Sequence, residues 1–420
     1  MTSSRFADSL WAPFRFAAFR WLWMGALAMN LSIWMQSVGA AWVMVSLTPS
    51  PLPVALVQTA ISLPSFIFGL PGGVFADIFD RRRYLLLTHA GMLVSAVLLV
   101  VWCACGWLGP ISLLALTFAF GIGFAMQGPA WYTSQAEAVP VGLVTSAMAL
   151  SSVSYSCARA VGPAIAGALV SFSGVITVFA ICALLLAGSL AAAMTLRSKP
   201  KDALAPAVTL REGLITAIRY ARSSSVIRAQ TARTLAFVGA GSALWALLPL
   251  VASESAGAGG YGVLLGSIGV GTLFGALIIT WLRARVGING MLSGACLAYA
   301  VGTVVLALLS NTVAQSLALF VAGIGWMLIG TSNLAAIQLS VPAWIRARSV
   351  AIYMLVFQGS MAVGGALWGL VAIHVGARNS LLLAAAMTLL ALWLMHCLAI
   401  KPVTQVQEGS LGSDNEVAEH

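Results

Sequence analysis

Twelve apolar runs, each long enough to cross a bilayer, leave little room in this chain for any other architecture. A helix spans the hydrocarbon layer with about 20 residues. The runs cover 19–47, 53–75, 84–107, 111–133, 143–171, 174–196, 231–252, 261–282, 288–310, 313–338, 349–374 and 379–400. Turn residues punctuate them: Pro49 to Pro53, Gly109-Pro110, Val139-Pro140 and Gly257 to Gly260. No segment alternates like a barrel strand. The expected fold is an all-α membrane protein with twelve transmembrane helices. Composition excludes the soluble alternatives. Only 8% of the 420 residues are charged and 60% are hydrophobic, whereas a soluble domain carries about 25% charged residues and a disordered chain needs low hydrophobicity.

Charge placement gives an orientation. Cytoplasmic loops collect Lys and Arg. With the N-terminus in the cytoplasm, all but two of the 21 Lys and Arg fall on the cytoplasmic side. The exceptions are Arg378, outside, and Arg159, within the fifth run. The expectation is a multi-pass cytoplasmic (inner) membrane protein with both termini cytoplasmic. The net charge of +10 sits in short blocks between apolar runs, so no nucleic-acid partner is expected. The first run exceeds a signal-peptide core of about 7–15 residues, and the N-terminus is expected to be retained. Cys103, Cys105, Cys157, Cys182, Cys296 and Cys397 all lie in apolar runs, where cysteine behaves as a small hydrophobe; no metal site or disulfide framework is expected.

The polar stretch 197–230 divides the runs six and six. Thr209 and Glu212 form a capping-box pattern, and Leu210, Leu214, Ile218 and Ala221 share one face. This describes either an amphipathic helix on the membrane surface or an ordinary linker helix. The expected organisation is a six-helix bundle over 1–196, a cytoplasmic loop over 197–230, a second bundle over 231–400 and a polar, disordered tail over 401–420. The bundles repeat. An offset of 202 takes Gly73, Arg81 and Arg83 to Gly275, Arg283 and Arg285; Val139-Pro140 to Val341-Pro342; and Gly162 and Gly167 to Gly364 and Gly369. Two six-helix pseudo-repeats are the architecture of transporters that rock around a midplane site.

On these residues the chain resembles the major facilitator superfamily over essentially its whole length. Gly73-Val-Phe-Ala-Asp77-Ile-Phe-Asp80-Arg81-Arg82-Arg83 is similar to the signature between helices 2 and 3, with Ile78 and Asp80 departing from it. The Phe79 to Arg83 variant resembles the exporter branch that includes the enterobactin and related siderophore and drug exporters. Arg159-Ala-Val-Gly162-Pro163-Ala-Ile-Ala-Gly167 is similar to the antiporter-associated signature of helix 5. In the helix-4 signature Gln127-Gly128 is kept, but Phe124 replaces the usual arginine. The resemblance implies a cavity lined by spans 1, 4, 7 and 10. It also implies an inner gate in which Asp77 faces the N-terminal end of helix 11, with Glu137 able to join the cluster.

The candidate substrate-binding residues are Asn30, Trp34, Gln127, Trp131, Arg159, Trp245, Trp326 and Asn333. Aromatic side chains with a few polar groups suit a large, partly apolar ligand, although tryptophan also anchors helices at interfaces. A membrane-embedded arginine costs about 2.5–3.5 kcal/mol on insertion scales and defaults to function. Arg159 therefore reads either as a cationic contact for an anionic or oxygen-rich substrate or as a structural arginine bonding carbonyls freed by Pro163. The gating candidates are Gly73, Asp77, Arg81, Arg82, Arg83, Glu137, Gly162, Pro163 and Gly167. The glycines of the fifth and eleventh runs read as packing positions. No acid sits mid-membrane; proton coupling would use Asp77, Glu137 or His374.

The leading expectation is a secondary exporter, driven by proton antiport, for a medium-sized organic solute such as a siderophore. A multidrug efflux protein is the alternative, and a non-transporting sensor on the same fold a more distant one. No GxxxxGK[ST] phosphate loop exists, so ATP is not the direct energy source. An enzyme would need acid–base or metal residues clustered at one face, and none cluster, so no activity or cofactor is expected. The partners expected are a small-molecule substrate, the lipid bilayer and a proton gradient, with a monomer as the working unit.

Overall fold

Proline starts and glycine stops delimit the helices of this computed structural model, which describes residues 10–196, 219, 224–341 and 343–397. Six helices form the first half: α1 Ala17–Leu47, α2 Pro51–Ile78, α3 Arg81–Ala104, α4 Pro110–Glu137, α5 Val144–Ser173 and α6 Val175–Met194. Five form the second: α7 Ser225–Ser255, α8 Gly257–Leu308, α9 Thr312–Ser340, α10 Ala343–Val375 and α11 Ala377–Cys397. Among the described residues nine helices are long and apolar enough to cross a membrane. Pro51 and Pro110 open α2 and α4 at the first turn, where the missing N–H costs nothing. Asp80 caps α3 by accepting from the Arg83 backbone N–H at 2.9 Å, which gives a local use to one departure from the signature. Residues 197–218 and 220–223, which hold the capping box and the apolar face, and the tail 401–420 lie outside the described residues.

The helix count departs from expectation at α8. Runs 261–282 and 288–310 are joined in one 52-residue element, interrupted only by Gly287 at φ 70° and ψ 171°. That conformation is open to glycine and strained for other residues. The expected loop between these runs is thus reduced to one residue.

The sequence repeat extends further in the structure. Gly174 and Gly376, also 202 apart, join α5 to α6 and α10 to α11, with φ 82° and 83°. Gly121 and Gly123 of α4 correspond to Gly323 and Gly325 of α9. Gly121 packs on Pro64 of α2 and Gly123 on Thr88 and Met92 of α3; Gly323 packs on Ile268 and Gly325 on Ala295, in the two limbs of α8. The first limb of α8 therefore stands in the second half where α2 stands in the first, and the second limb where α3 stands.

Two seams join the halves. On one, α5 meets the first limb of α8: a Cβ added at Gly167 would lie 2.6 Å from the Gly262 Cα, and one at Gly269 2.5 Å from the Ala160 Cα. On the other, α2 meets α10: a Cβ at Gly369 would lie 2.7 Å from the Ala55 Cβ, and the Thr59 hydroxyl donates to the Ala362 carbonyl at 2.7 Å. Small residues allow such backbone approach. Both seams run toward the end of the molecule opposite Arg81–Arg83, where one apolar core takes Val38, Val54 and Ala55 from the first half and Leu247, Val251 and Leu264 from the second. At the arginine-loop end the clusters stay separate. Leu22, Tyr84, Leu85 and Trp131 pack within the first half, and Ile227, Ile337, Val341 and Tyr353 within the second.

Candidate functional site

Separate cores at one end leave a space between the halves. A cavity of about 640 Å³ opens there, walled by Asn30, Gln127 and Trp131 from the first half and Trp326, Thr331 and Tyr353 from the second. A smaller cavity of about 170 Å³ continues toward the closed end, past Trp34, Gln36, Thr117, Trp245 and Tyr261. Ser65, Phe124, Tyr155, Arg159, Trp326, Phe357 and Gln358 line both and mark their junction. Among the described residues, Arg159 is the only charged side chain lining either cavity.

Close helix packing places that arginine. A Cβ at Gly162 would lie 3.0 Å from the Trp34 Cβ, so α5 and α1 approach closely and bring Trp34 beside Arg159. On the other flank Gly269 packs against the backbone of Arg159 and Ala160. Pro163 has no N–H to offer the Arg159 carbonyl, and a Cβ at Gly269 would sit 2.7 Å from that oxygen. The guanidinium carbon lies 5.4 Å from the ring centroid of Trp34 and 5.4 Å from that of Trp245. One indole comes from each half. Both distances are within cation–π range. The Trp245 ring lies 5.6 Å from Trp326, which in turn packs with Phe237, Tyr299 and Phe357.

The structure brings seven of the eight substrate-binding candidates to these walls: Asn30, Trp34, Gln127, Trp131, Arg159, Trp245 and Trp326. Asn333 lines neither cavity and is buried at 2% exposure. Of the two readings of Arg159, bonding to freed carbonyls does not occur among the described residues: its guanidinium makes no hydrogen bond to a described carbonyl and lies over two indole faces instead. The four-helix lining is too narrow as well. Residues of α2, α5, the first limb of α8 and α10 also reach the cavities, because the helices that form the seams pass between the halves.

The gating candidates are scattered. Arg81 Nη1 and Glu137 Oε1 form an ion pair at 2.7 Å, tying α3 to the end of α4. Arg82 donates to the Met194 carbonyl at 3.3 Å, and the Arg83 backbone is bound by Asp80. The Asp77 side chain and those of residues 342–348, at the start of α10, are outside the described residues. Gly73 faces open space, with nothing within 4 Å of an added Cβ, whereas Gly162 and Gly167 are tightly packed. His374 is exposed and lines neither cavity.

Several cavity residues were not singled out by the sequence. Tyr155 had a usable signal: it stands one turn before Arg159 and shares its face. Gln358 and Phe357 had none. His89 is fully buried in α3, with its ring stacked on Trp131 at 4.9 Å and its Nδ1 2.8 Å from the Leu85 carbonyl. It passed unremarked inside an apolar run.

Comparison with known proteins agrees with this architecture. The chain belongs to the transmembrane secretion effector family, MFS_3, whose family model matches residues 8–418. A stretch of 134 residues is 25% identical to the MFS-type transporter YfiS of Bacillus subtilis (strain 168), spanning 31% of this chain and 30% of that protein. The fold is similar to the nucleoside transporter NupG, with TM-score 0.69, 15% identity, and coverage of 92% of this chain and 100% of that one. It is similar to a bacterial homologue of the lysosomal transporter Spinster in an inward-facing, occupied conformation, with TM-score 0.71, 15% identity and coverage of 92% and 97%. The D-xylose–proton symporter gives TM-score 0.71 at 14% identity, with coverage of 91% and 97%. The protein is a multi-pass membrane transporter of the MFS type, and the family and its structural neighbours are transporters, not enzymes.

Proposed function

We propose that this protein is a secondary active exporter that moves a medium-sized organic solute out of the cytoplasm by alternating access. The observation that carries the reading is the cavity between two halves that are sealed along glycine seams at one end and packed separately at the other. Such a site passes a solute by closing one end as the other opens. The arginine-loop end is the cytoplasmic end in this reading, because Arg81–Arg83 follow the positive-inside pattern, and both termini are cytoplasmic. The cavity then faces inward, as in the inward-facing Spinster homologue. We count twelve spans in two six-helix bundles. At about 1.5 Å per residue the 52-residue α8 is more than twice a bilayer's hydrocarbon thickness, and its two limbs match α2 and α3. The working unit is a monomer in the inner membrane.

The Phe79 to Arg83 sequence supports a siderophore as the solute. The aromatic lining supports multidrug efflux as the competing reading. Coupling to proton entry is part of the proposal. No carboxylate lines the described cavities, which leaves Asp77 and Glu137 at the cytoplasmic face as the groups to carry it. Asp77, Arg81–Arg83 and Glu137 are assigned to the inner gate; the Arg81–Glu137 ion pair gathers two of them at the same end of the first half.

Untargeted mass spectrometry of cells and medium, with and without the gene under iron starvation, tests this. One iron-chelating metabolite is expected to rise inside and fall outside the deleted strain. A metabolite that instead falls inside and stays outside would reverse the direction. Loss of drug resistance with no metabolite shift would replace the siderophore by multidrug efflux.

A further inference from the structure

The cavity junction has a charge with no counter-charge. Arg159 presents five N–H donors and no acceptor of its own. Among the described residues none of those donors has a hydrogen-bond or ion-pair partner, and its Nε is enclosed with no acceptor. Among the described residues of the cavity walls the indole donors Trp34 Nε1 and Trp131 Nε1 are likewise enclosed without acceptors, against one enclosed acceptor without a donor, the neutral Gln127 Oε1. The site therefore has donors in excess and lacks anionic acceptors. A lone membrane-embedded cation is costly, and such charges are ordinarily paired. Here two aromatic faces partly compensate it, and a charge-assisted hydrogen bond to an anion would compensate it more fully.

We propose that Arg159, clasped by Trp34 and Trp245, is the receptor for the anionic group of the transported solute, and that this solute is an organic anion with a flat apolar body. The inference rests on the transport reading and names its substrate class. The carboxylate, or a comparable oxyanion, takes the open side of the guanidinium as a two-point hydrogen-bonding partner. The apolar body lies in the larger cavity against Trp131, Phe124, Trp326 and Phe357. A cationic solute meets a like charge with no carboxylate to offset it, so the site selects against cations by repulsion as well as for anions by attraction. Trp34 and Trp245 belong to different halves. An anion that draws the guanidinium off the Trp245 face also loosens a contact between them, so loading and movement share one residue.

The test uses the full-length protein in lipid nanodiscs and three probes with one ring system: 2-naphthoate, 2-naphthamide and 2-naphthylmethylammonium. Calorimetric titration at neutral pH is expected to rank naphthoate about tenfold or more tighter than the amide, with the ammonium weakest, as a charge-assisted bond to a poorly solvated arginine requires. Arg159→Gln, which removes the charge and the planar donor fork, is expected to erase the preference for carboxylate over amide. Arg159→Lys keeps part of the preference but not the planar two-point contact. The wild-type ranking needs no variant, so a poorly folding substitution does not spare the proposal. It is overturned if the amide or the ammonium equals naphthoate, if naphthoate does not bind at millimolar concentration, or if the preference survives Arg159→Gln. Binding is read without flux. Absence of transport therefore leaves this result intact, and a failed ranking leaves export standing with a neutral or cationic solute.

Discussion

The two ends of the molecule hold the halves together by different means. Away from Arg81–Arg83, glycine meets backbone, as at Gly167 with Gly262, and a single apolar core contains residues of both halves. At the arginine end each half keeps its own apolar cluster, and a cavity of about 640 Å³ separates them. In the alternating-access reading, the cavity end is the one that has parted. Contacts between small residues are tight but few per residue. Parting the glycine contacts leaves each helix its own backbone hydrogen bonds, but it also separates the shared apolar core of Val38, Val54, Leu247, Val251 and Leu264. At the cavity end the large side chains stay within one half, so that end opens without unpacking either core.

Crowding the seam should disturb this contrast most. Gly262→Leu places a side chain where even a Cβ would meet the Pro163 carbonyl at 2.7 Å. Overpacking of this kind costs about 1–3 kcal/mol. The cost falls on the closed seam alone, so the population is expected to shift by about fivefold or more toward a form open at that end. Labelling of a cysteine at position 171 by a membrane-impermeant maleimide should rise accordingly. A smaller effect is expected from Thr59→Val, which deletes the hydrogen bond to Ala362 across the other seam. One neutral bond is worth about 0.5–1.5 kcal/mol, so transport should slow by severalfold at most and the fold should persist in a thermal melt. The smallest effect should come from Arg81→Gln. Its ion pair with Glu137 lies within one half, and the two side chains are 34% and 38% exposed. After solvent screening such a pair contributes about 0–1 kcal/mol, and melting should barely move. A larger loss of transport than of stability in Arg81→Gln would assign the pair to gating.

Much of this was legible from the residues. Apolar length located the helices, because membrane-spanning backbone must satisfy itself internally. Gly167 and Gly369, 202 apart, read as packing positions, and each lies in a seam between the halves. The join at Gly287 was not legible: Arg283, Arg285 and Gly287 between two apolar runs read as a loop, whereas one positive-φ glycine makes the whole connection. Arg159 was recognisable as unusual from its place in an apolar run. Trp245 was among the cavity candidates, but its pairing with Arg159 was not legible, because that contact crosses between halves and no local pattern encodes it. Gln358 and Tyr261 escaped for the same reason. Asn333 was over-read: a polar residue in a cavity-side helix still has more than one face to occupy.

The most direct measurement of alternating access is a disulfide across the closed end. A Cβ at Gly259 would lie 3.8 Å from the Ser171 Cβ, which matches the mean separation in a disulfide of about 3.8 Å. In a background without native cysteines, Ser171→Cys with Gly259→Cys should cross-link readily under mild oxidation. If this end must open in each cycle, efflux of the solute identified in the deletion strain stops in the oxidised protein and returns on reduction. Efflux at the uncross-linked rate with the disulfide fully formed would contradict the mechanism.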